Sequence, residues 1–145
     1  MAGMDELYQN VILEHNRSPR NFRIMDDASG RGDGNNPLCG DRITVWLKVS
    51  DGVIEDASFQ GAGCAISRAS ASLMTAAVRG KRQDEAERLF DRFQRLVTGR
   101  LPAGETETLG KLAVFSGVSQ FPIRVKCATL CWHAMKEAMA APADR

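Results

Sequence analysis

Arg42-Ile43-Thr44-Val45-Trp46-Leu47-Lys48-Val49, the pair Asp51-Gly52, and Val53-Ile54-Glu55-Asp56-Ala57-Ser58-Phe59-Gln60 form the stretch that decides the fold. Its first half is β-branched and aromatic, Asp-Gly is a hairpin turn signal, and the second half continues as a strand. An antiparallel hairpin sets the start of its first strand beside the end of its second. Residues just before the first strand, Cys39 and Asp41, are therefore brought together with Gly61 to Cys64, just after the second. Both segments carry chemistry. Asn36-Pro37-Leu38-Cys39-Gly40-Asp41 places a thiol and a carboxylate on one tight turn, and Gly61-Ala62-Gly63-Cys64-Ala65 places a second thiol at an element boundary.

A third thiol, Cys127, ends Phe121-Pro122-Ile123-Arg124-Val125-Lys126-Cys127 at the start of the last helix. Three thiols and one carboxylate make a candidate tetrahedral metal site. The segment after Cys64 gives that thiol a further property. Ile66 to Val78 is largely Ala, Ser and Met and stops at Gly80, which suits a helix narrow enough to approach the sheet closely. The unpaired N–H groups and positive dipole end of that helix would stabilise a thiolate at Cys64, favouring metal ligation and nucleophilic attack alike.

The last helix leaves the ligand set open. Ile123, Cys127, Leu130, Cys131, Ala134, Met135 and Ala138 keep helical spacing, so two cysteines share its apolar face. Spacing allows a four-thiolate site of Cys39, Cys64, Cys127 and Cys131, or a three-thiolate site completed by Asp41 with Cys131 packed in the core. Free cysteine behaves as a small hydrophobe, and a position one turn deeper than Cys127 favours the core reading. His133 is placed on the opposite face with Lys126 and Thr129, which makes a Cys127–His133 dyad geometrically poor.

Composition bounds the rest. A chain of 145 residues is one domain, able to bury roughly 68–70% of its unfolded surface without staples, so a metal here is functional before it is structural. The formal net charge of +1, with basic and acidic residues interleaved, offers no stripe for nucleic acid, and C-x₂-C knuckles are absent. No apolar run approaches a membrane span, and Met1-Ala2-Gly3-Met4-Asp5-Glu6 has no signal-peptide character. The expectation is a cytoplasmic protein with protein partners, its four unevenly spaced cysteines kept as thiols.

Outward from the hairpin, Met4, Leu7, Tyr8, Val11 and Ile12 mark an amphipathic first helix closed by Ser18-Pro19, with His15 on its apolar face as a hydrogen-bonded boundary histidine. Residues 26–36, rich in Gly, Asp and Asn, are expected to be mobile, with at most a short irregular strand. Ala86, Leu89, Phe90, Phe93, Leu96 and Val97 predict a third helix whose charged face, Asp84, Glu87, Arg88, Asp91, Arg92 and Arg95, is solvated. Residues 99–108 read as a linker, and a short helix is expected from Leu109 to Ser116, stopped by Gly117.

Three segments in order carry a family resemblance: Asn36 to Asp41, Gly61-Ala62-Gly63-Cys64-Ala65-Ile66-Ser67-Arg68-Ala69-Ser70-Ala71-Ser72, and Phe121-Pro122-Ile123-Arg124-Val125-Lys126-Cys127-Ala128-Thr129-Leu130. They resemble the signature segments of the SufU branch of the IscU-like, NifU N-terminal family of iron–sulfur cluster assembly proteins. The likeness runs from the first helix and the Arg17-Ser18-Pro19-Arg20-Asn21 turn to the last helix. It implies an α+β fold, with a small antiparallel sheet of about three strands, five or so helices packed on it, and a single domain over 1–145. Residues from about 81 to 109 resemble the insertion that separates SufU from IscU.

By the same resemblance Cys39, Asp41, Cys64 and Cys127 would hold Zn²⁺, and a cysteine desulfurase of the SufS type would pass persulfide sulfur to the chain. Cys39, alone on a Gly-bounded turn, is then the persulfide acceptor, freed when the partner supplies another ligand. A downstream iron–sulfur scaffold or apo-proteins would receive the sulfur, and neither nucleic acid nor membrane is implied as a partner. Arg124 is a candidate for orienting the partner. Lys126 stands where the scaffold branch has a histidine, and the Leu-Pro-Pro-Val-Lys chaperone-docking segment of that branch is absent. The alternative is a scaffold that builds a [2Fe–2S] cluster on the same ligands and transfers it.

Overall fold

The computed structural model describes residues 2–140, and their side chains except those of residues 2–8 and 103. The hairpin forms as read: β2 is Asp41–Ser50 and β3 is Val53–Ala62. Asp51 (φ 53°) and Gly52 (φ 79°) both take the left-handed backbone that a two-residue hairpin turn demands. Alternation then sorts the faces. Ile43, Val45 and Leu47 are buried against the helices, while Arg42, Thr44 and Trp46 point the other way. Near the turn Lys48 faces Asp56 but Val49 faces Ile54, so Glu55 is the extra residue of a bulge.

The Gly-rich segment departs from expectation. Gly30–Asn36 is a full strand, β1, antiparallel to β2 from Gly30 opposite Leu47 to Asn36 opposite Asp41, giving the sheet order β1-β2-β3. The reason lies far along the chain. A Cβ at Gly32 would come within 1.9 Å of the Ala134 carbonyl oxygen, and one at Gly34 within 3.0 Å of the Leu130 side chain. The glycines are a flat track on which the last helix lies.

That helix, α4, is Pro122–Ala140. Cys127, Cys131, Ala134, Met135 and Ala138 are buried as predicted, but Ile123 is 59% exposed because the first turn overhangs the sheet. Thr129 and Trp132, assigned no place in the core by the spacing, are buried too, since α4 is covered on a second side. There Trp132 stacks on Phe93 (centroids 4.8 Å apart) and Phe90 (5.7 Å), and Phe115 meets Phe93 edge-on. The two phenylalanines belong to α3, Gln83–Val97, whose charged face is solvated as expected.

Helix α1 is Ala2–Arg17, ending where the Ser18 N–H closes on the Glu14 carbonyl; the side chains of Met4, Leu7 and Tyr8 lie outside the described residues. Helix α2 is Ala65–Val78, packed between α1 and α4. The expected linker is instead helical. Ala103–Gln120 is a 3₁₀ segment, kinked at Gly110 (φ 59°), that runs through the expected stop at Gly117 and buries Leu109, Leu112, Val114, Phe115 and Val118. Tertiary burial of these five side chains outweighs the loop-like Thr and Glu composition of its first half.

Candidate metal centre

The open end of the hairpin is the site. Arg42 pairs with Ala62 and Ile43 with Gly61, so the chain enters β2 through Cys39-Gly40-Asp41 beside the place where it leaves β3 through Gly63-Cys64. Asp41 joins the two: its Oδ1 accepts the Cys64 N–H at 2.8 Å, and Oδ2 lies 3.7 Å from Cys64 Sγ. Gly63 makes room for this, since a Cβ there would stand 2.4 Å from Asp41 Oδ1. Asp41 is fully buried, and among the described residues no basic side chain forms an ion pair with it. A buried carboxylate without a countercharge is an arrangement that a cation completes.

Helix α4 delivers the next donor. Cys127 is 2% exposed and its Sγ lies 3.3 Å from Cys39 Sγ, both thiols being free. Donor atoms of Cys39, Asp41 and Cys127 all lie within 4.8 Å of one another. Cys64 is adjacent but outside that set. It caps α2, its Sγ accepting the Ser67 N–H at 3.5 Å, where the helix dipole favours negative charge. Tetrahedral bonds of about 2.3 Å to sulfur and 2.0–2.2 Å to oxygen require donor spacings of about 3.6–3.8 Å. The Cys39–Cys127 and Asp41–Cys64 separations fall near that range, so the chemistry and spacing of Cys39, Asp41 and Cys127 suit a zinc ion, with Cys64 beside Asp41 as the fourth donor once it moves toward the other three.

Protonation tells the same story. Burial first, then hydrogen bonding with Cys39, Asp41 and Cys64, pushes the Cys127 thiol above its usual range. A buried thiol such as Cys127 gives up its proton readily only where a cation compensates the charge. Cys131 is separate from this cluster. It is fully buried, its Sγ contacts Ser70 Oγ at 3.5 Å, and burial pushes its thiol up to about 12.

Neither histidine reaches the thiols. His15 is buried with Nδ1 2.7 Å from Ser72 Oγ, the boundary role expected of it, and His133 stands edge-on to Phe90. Arg124 lies over the Phe121 ring at 4.4 Å, at the edge of an apolar cavity of about 540 Å³ lined by Ile12, Leu13, Ile66 and Val118. Lys126 is exposed. Two contributors escaped the sequence reading. Gly63 was legible only as a boundary glycine, and Arg68, which reaches the Gly61 and Asn16 carbonyls and covers Phe22, carried no motif of its own. In the segment that carries Cys127, Arg124 and Lys126 have no carboxylate partner among the described residues, and Leu38, Phe121 and Ile123 are exposed.

Comparison with known proteins places this arrangement. Residues 7–140 match the NifU-like N terminal domain model. The chain is 42% identical over 139 residues to the zinc-dependent sulfurtransferase SufU of Bacillus subtilis, covering 96% of this chain and 93% of that protein. It is 40% identical over 144 residues to the iron–sulfur cluster assembly scaffold protein IscU of Streptococcus pyogenes, covering 99% and 89%. A crystal structure described as a putative iron–sulfur cluster assembly scaffold protein for the SUF system, from Fervidobacterium islandicum, superposes with a TM-score of 0.82 at 29% identity, covering 89% of this chain and 93% of that one.

Proposed function

The chain belongs to the NifU-like N-terminal domain family, and from that premise we propose that it serves iron–sulfur cluster assembly as a zinc-binding acceptor of persulfide sulfur from a cysteine desulfurase. In this reading Cys39, Asp41, Cys64 and Cys127 hold the ion. Bound zinc would keep the thiols deprotonated near neutral pH while restraining their oxidation.

The observation that carries the reading is the unequal anchoring of the three thiols. Cys127 is fixed in a helix that packs on the sheet, and Cys64 caps α2, so releasing its sulfur would also leave the Ser67 N–H without its partner. Cys39 is held by neither. It sits between Leu38, 75% exposed, and Gly40, whose φ of 70° no packed neighbour requires, and its backbone makes one turn bond to the Asn36 carbonyl. Cys39 is therefore the thiol that can turn outward to a partner at least cost. The unpaired cations in the segment that carries Cys127 and the exposed apolar side chains suit a partner surface that is acidic and partly apolar. A SufS-type desulfurase is the partner proposed, because the SufU relative is a sulfurtransferase.

Two measurements test this. Protein purified anaerobically without added metal should hold about one zinc per chain and no acid-labile sulfide. Cys39→Ala should abolish stimulation of the desulfurase, and normal stimulation by that variant would overturn the assignment. A second reading has its own support, since the relative from Streptococcus pyogenes, matched almost as well, is an assembly scaffold. Iron and sulfide in equal amounts, with a cluster transferable to an apo-protein, would establish it instead.

A further inference from the structure

The thiol best placed to turn outward is, for the same reason, the thiol most open to small oxidants. Cys39 is partly exposed on a turn between exposed Leu38 and exposed Gly40, whereas Cys127 is 2% exposed within α4. Their sulfurs are nonetheless in contact, 3.3 Å apart. The other two thiols have different surroundings. Cys64 stands outside the group of donors that lie within 4.8 Å of one another, and its Sγ accepts the Ser67 N–H at the head of α2. Cys131 is fully buried one turn farther along α4, with its Sγ against Ser70 Oγ at 3.5 Å. Of the three, Cys127 is the thiol set directly behind Cys39. An accessible cysteine backed by a second one is the arrangement of a reversible redox pair.

We propose that Cys39 and Cys127 form a site of reversible oxidation, in which a hydroperoxide oxidises Cys39 and Cys127 then closes a disulfide with it. In the first step the Cys39 sulfur takes one oxygen from hydrogen peroxide. The O–O bond breaks, the sulfur gives up two electrons, the second oxygen leaves as water, and Cys39 becomes a sulfenic acid. In the second step the Cys127 sulfur attacks the Cys39 sulfur. An S–S bond forms, the S–O bond breaks, and the thiol proton leaves with the hydroxyl group as a second water. Two thiols and one peroxide thus give one disulfide and two waters. A sulfenic acid that meets no thiol goes on to the sulfinic acid, which ordinary thiols do not reverse.

Closure brings the sulfurs from 3.3 Å to about 2.05 Å. Cys127 is fixed to α4, so the movement falls to the turn. There the Cys39 backbone makes one bond, to the Asn36 carbonyl, and a Cβ at Gly40 would meet nothing within 4 Å. The disulfide takes two sulfurs out of the donor set and leaves Asp41 and Cys64, too few for a tetrahedral ion. It also removes the thiol assigned above to receive sulfur. Both losses are undone when a free thiol attacks the disulfide. The oxidation needs no partner protein and stands apart from the sulfur-acceptor reading.

The experiment treats the full-length chain as purified, in wild type, Cys127→Ala and Cys131→Ala forms, with a small molar excess of hydrogen peroxide. Free thiols are alkylated in denaturant, linked peptides are mapped by mass spectrometry, and released metal is followed with a chromophoric chelator. Wild type and Cys131→Ala should yield the Cys39–Cys127 peptide pair, and dithiothreitol should restore both thiols. Bound zinc should leave in step, about one ion per disulfide. Cys127→Ala should instead carry Cys39 to the sulfinic acid, a gain of about 32 Da, in a share roughly tenfold larger than in wild type. Equal shares of sulfinic acid in the two overturn the proposal, as do peptides that link Cys39 to Cys64 or to a second chain. Mapping of wild type decides the pairing even if Cys127→Ala fails to fold. A chain that holds no zinc and still closes the bond removes the zinc reading and upholds the redox pair.

Discussion

Gly63→Ala probes the site with a single methyl group. Gly63 does not have positive φ, so an alanine can adopt its backbone, and the effect passes through what the new Cβ meets. That is the Asp41 carboxylate, with Oδ1 at 2.4 Å and Cγ at 2.9 Å, inside any tolerable contact. Asp41 is fully buried and cannot retreat into solvent, so the carboxylate must rotate off the Cys64 N–H that it holds at 2.8 Å. A hydrogen bond to a charged group contributes about 1.5–3 kcal/mol. If the same displacement spoils Asp41 as a metal ligand, zinc affinity falls by roughly 10–150-fold, at 1.36 kcal/mol per factor of ten. Competition against a chromophoric chelator measures this, with thermal melting in excess zinc as the control for folding. The control that isolates the cause is Asp41→Ala: in that background Gly63→Ala should have little further effect, because the clash it creates is gone. Wild-type zinc affinity in Gly63→Ala, or an undiminished loss in the double variant, would refute the reasoning.

Cys131→Ala should keep one zinc per chain while costing about 1–2 kcal/mol of stability, whereas Cys127→Ala should lose the metal; metal analysis and urea unfolding separate the two. Gly32→Ala drives a Cβ onto backbone at Ala134 and should cost about 3 kcal/mol or more, a melting decrease of roughly 10 °C for this length. Gly34→Ala meets the Leu130 side chain at 3.0 Å and the Leu130 carbonyl oxygen at 3.1 Å, tight contacts that a shift of a few tenths of an ångström relieves, and should fold with a smaller loss than Gly32→Ala in the same melting experiment. Burial first, then Arg20, lowers the His15 pKa below its ordinary 6.5, so the unfolded chain binds this proton more readily than the folded one. Its stabilisation is complete above about pH 6.5 and is lost as pH falls through the depressed folded value. Urea midpoints should therefore fall on acidification more steeply for wild type than for His15→Gln, and equal slopes would remove His15 from the account.

Local rules made the hairpin legible. Asp51 and Gly52 are residue types that accept positive φ, and antiparallel pairing then brings Cys39, Asp41 and Cys64 to one end of the sheet. The cap on α2 was legible for the same reason, because a thiol before a run of small residues needs no distant partner to be read. Strand β1 was not. Gly30 to Asn36 has the composition of a loop, and what makes it a strand is the Ala134 carbonyl on a helix a hundred residues later. Nor did spacing decide between Cys131 and Asp41, since α4 offers both thiols to the same face and only burial beside Ser70 separates them.

The track of glycines on β1 connects packing to chemistry. Cys127 has no loop to adjust its position; it stands wherever α4 stands, and α4 stands as close to the sheet as Gly32 and Gly34 permit. The turn bearing Cys39 grows directly from the end of β1, at Asn36. The strand that sets the height of the helix therefore also launches the cysteine that must meet it, and the 3.3 Å separation of the two sulfurs is a consequence of sheet–helix contact as much as of the site itself. A side chain at Gly32 would lift Cys127 away from Cys39 as it lifted the helix. This is a physical reason for placing weak strand formers in the strand beside the site, where local propensity yields to the distance that a metal ion or a travelling sulfur atom requires.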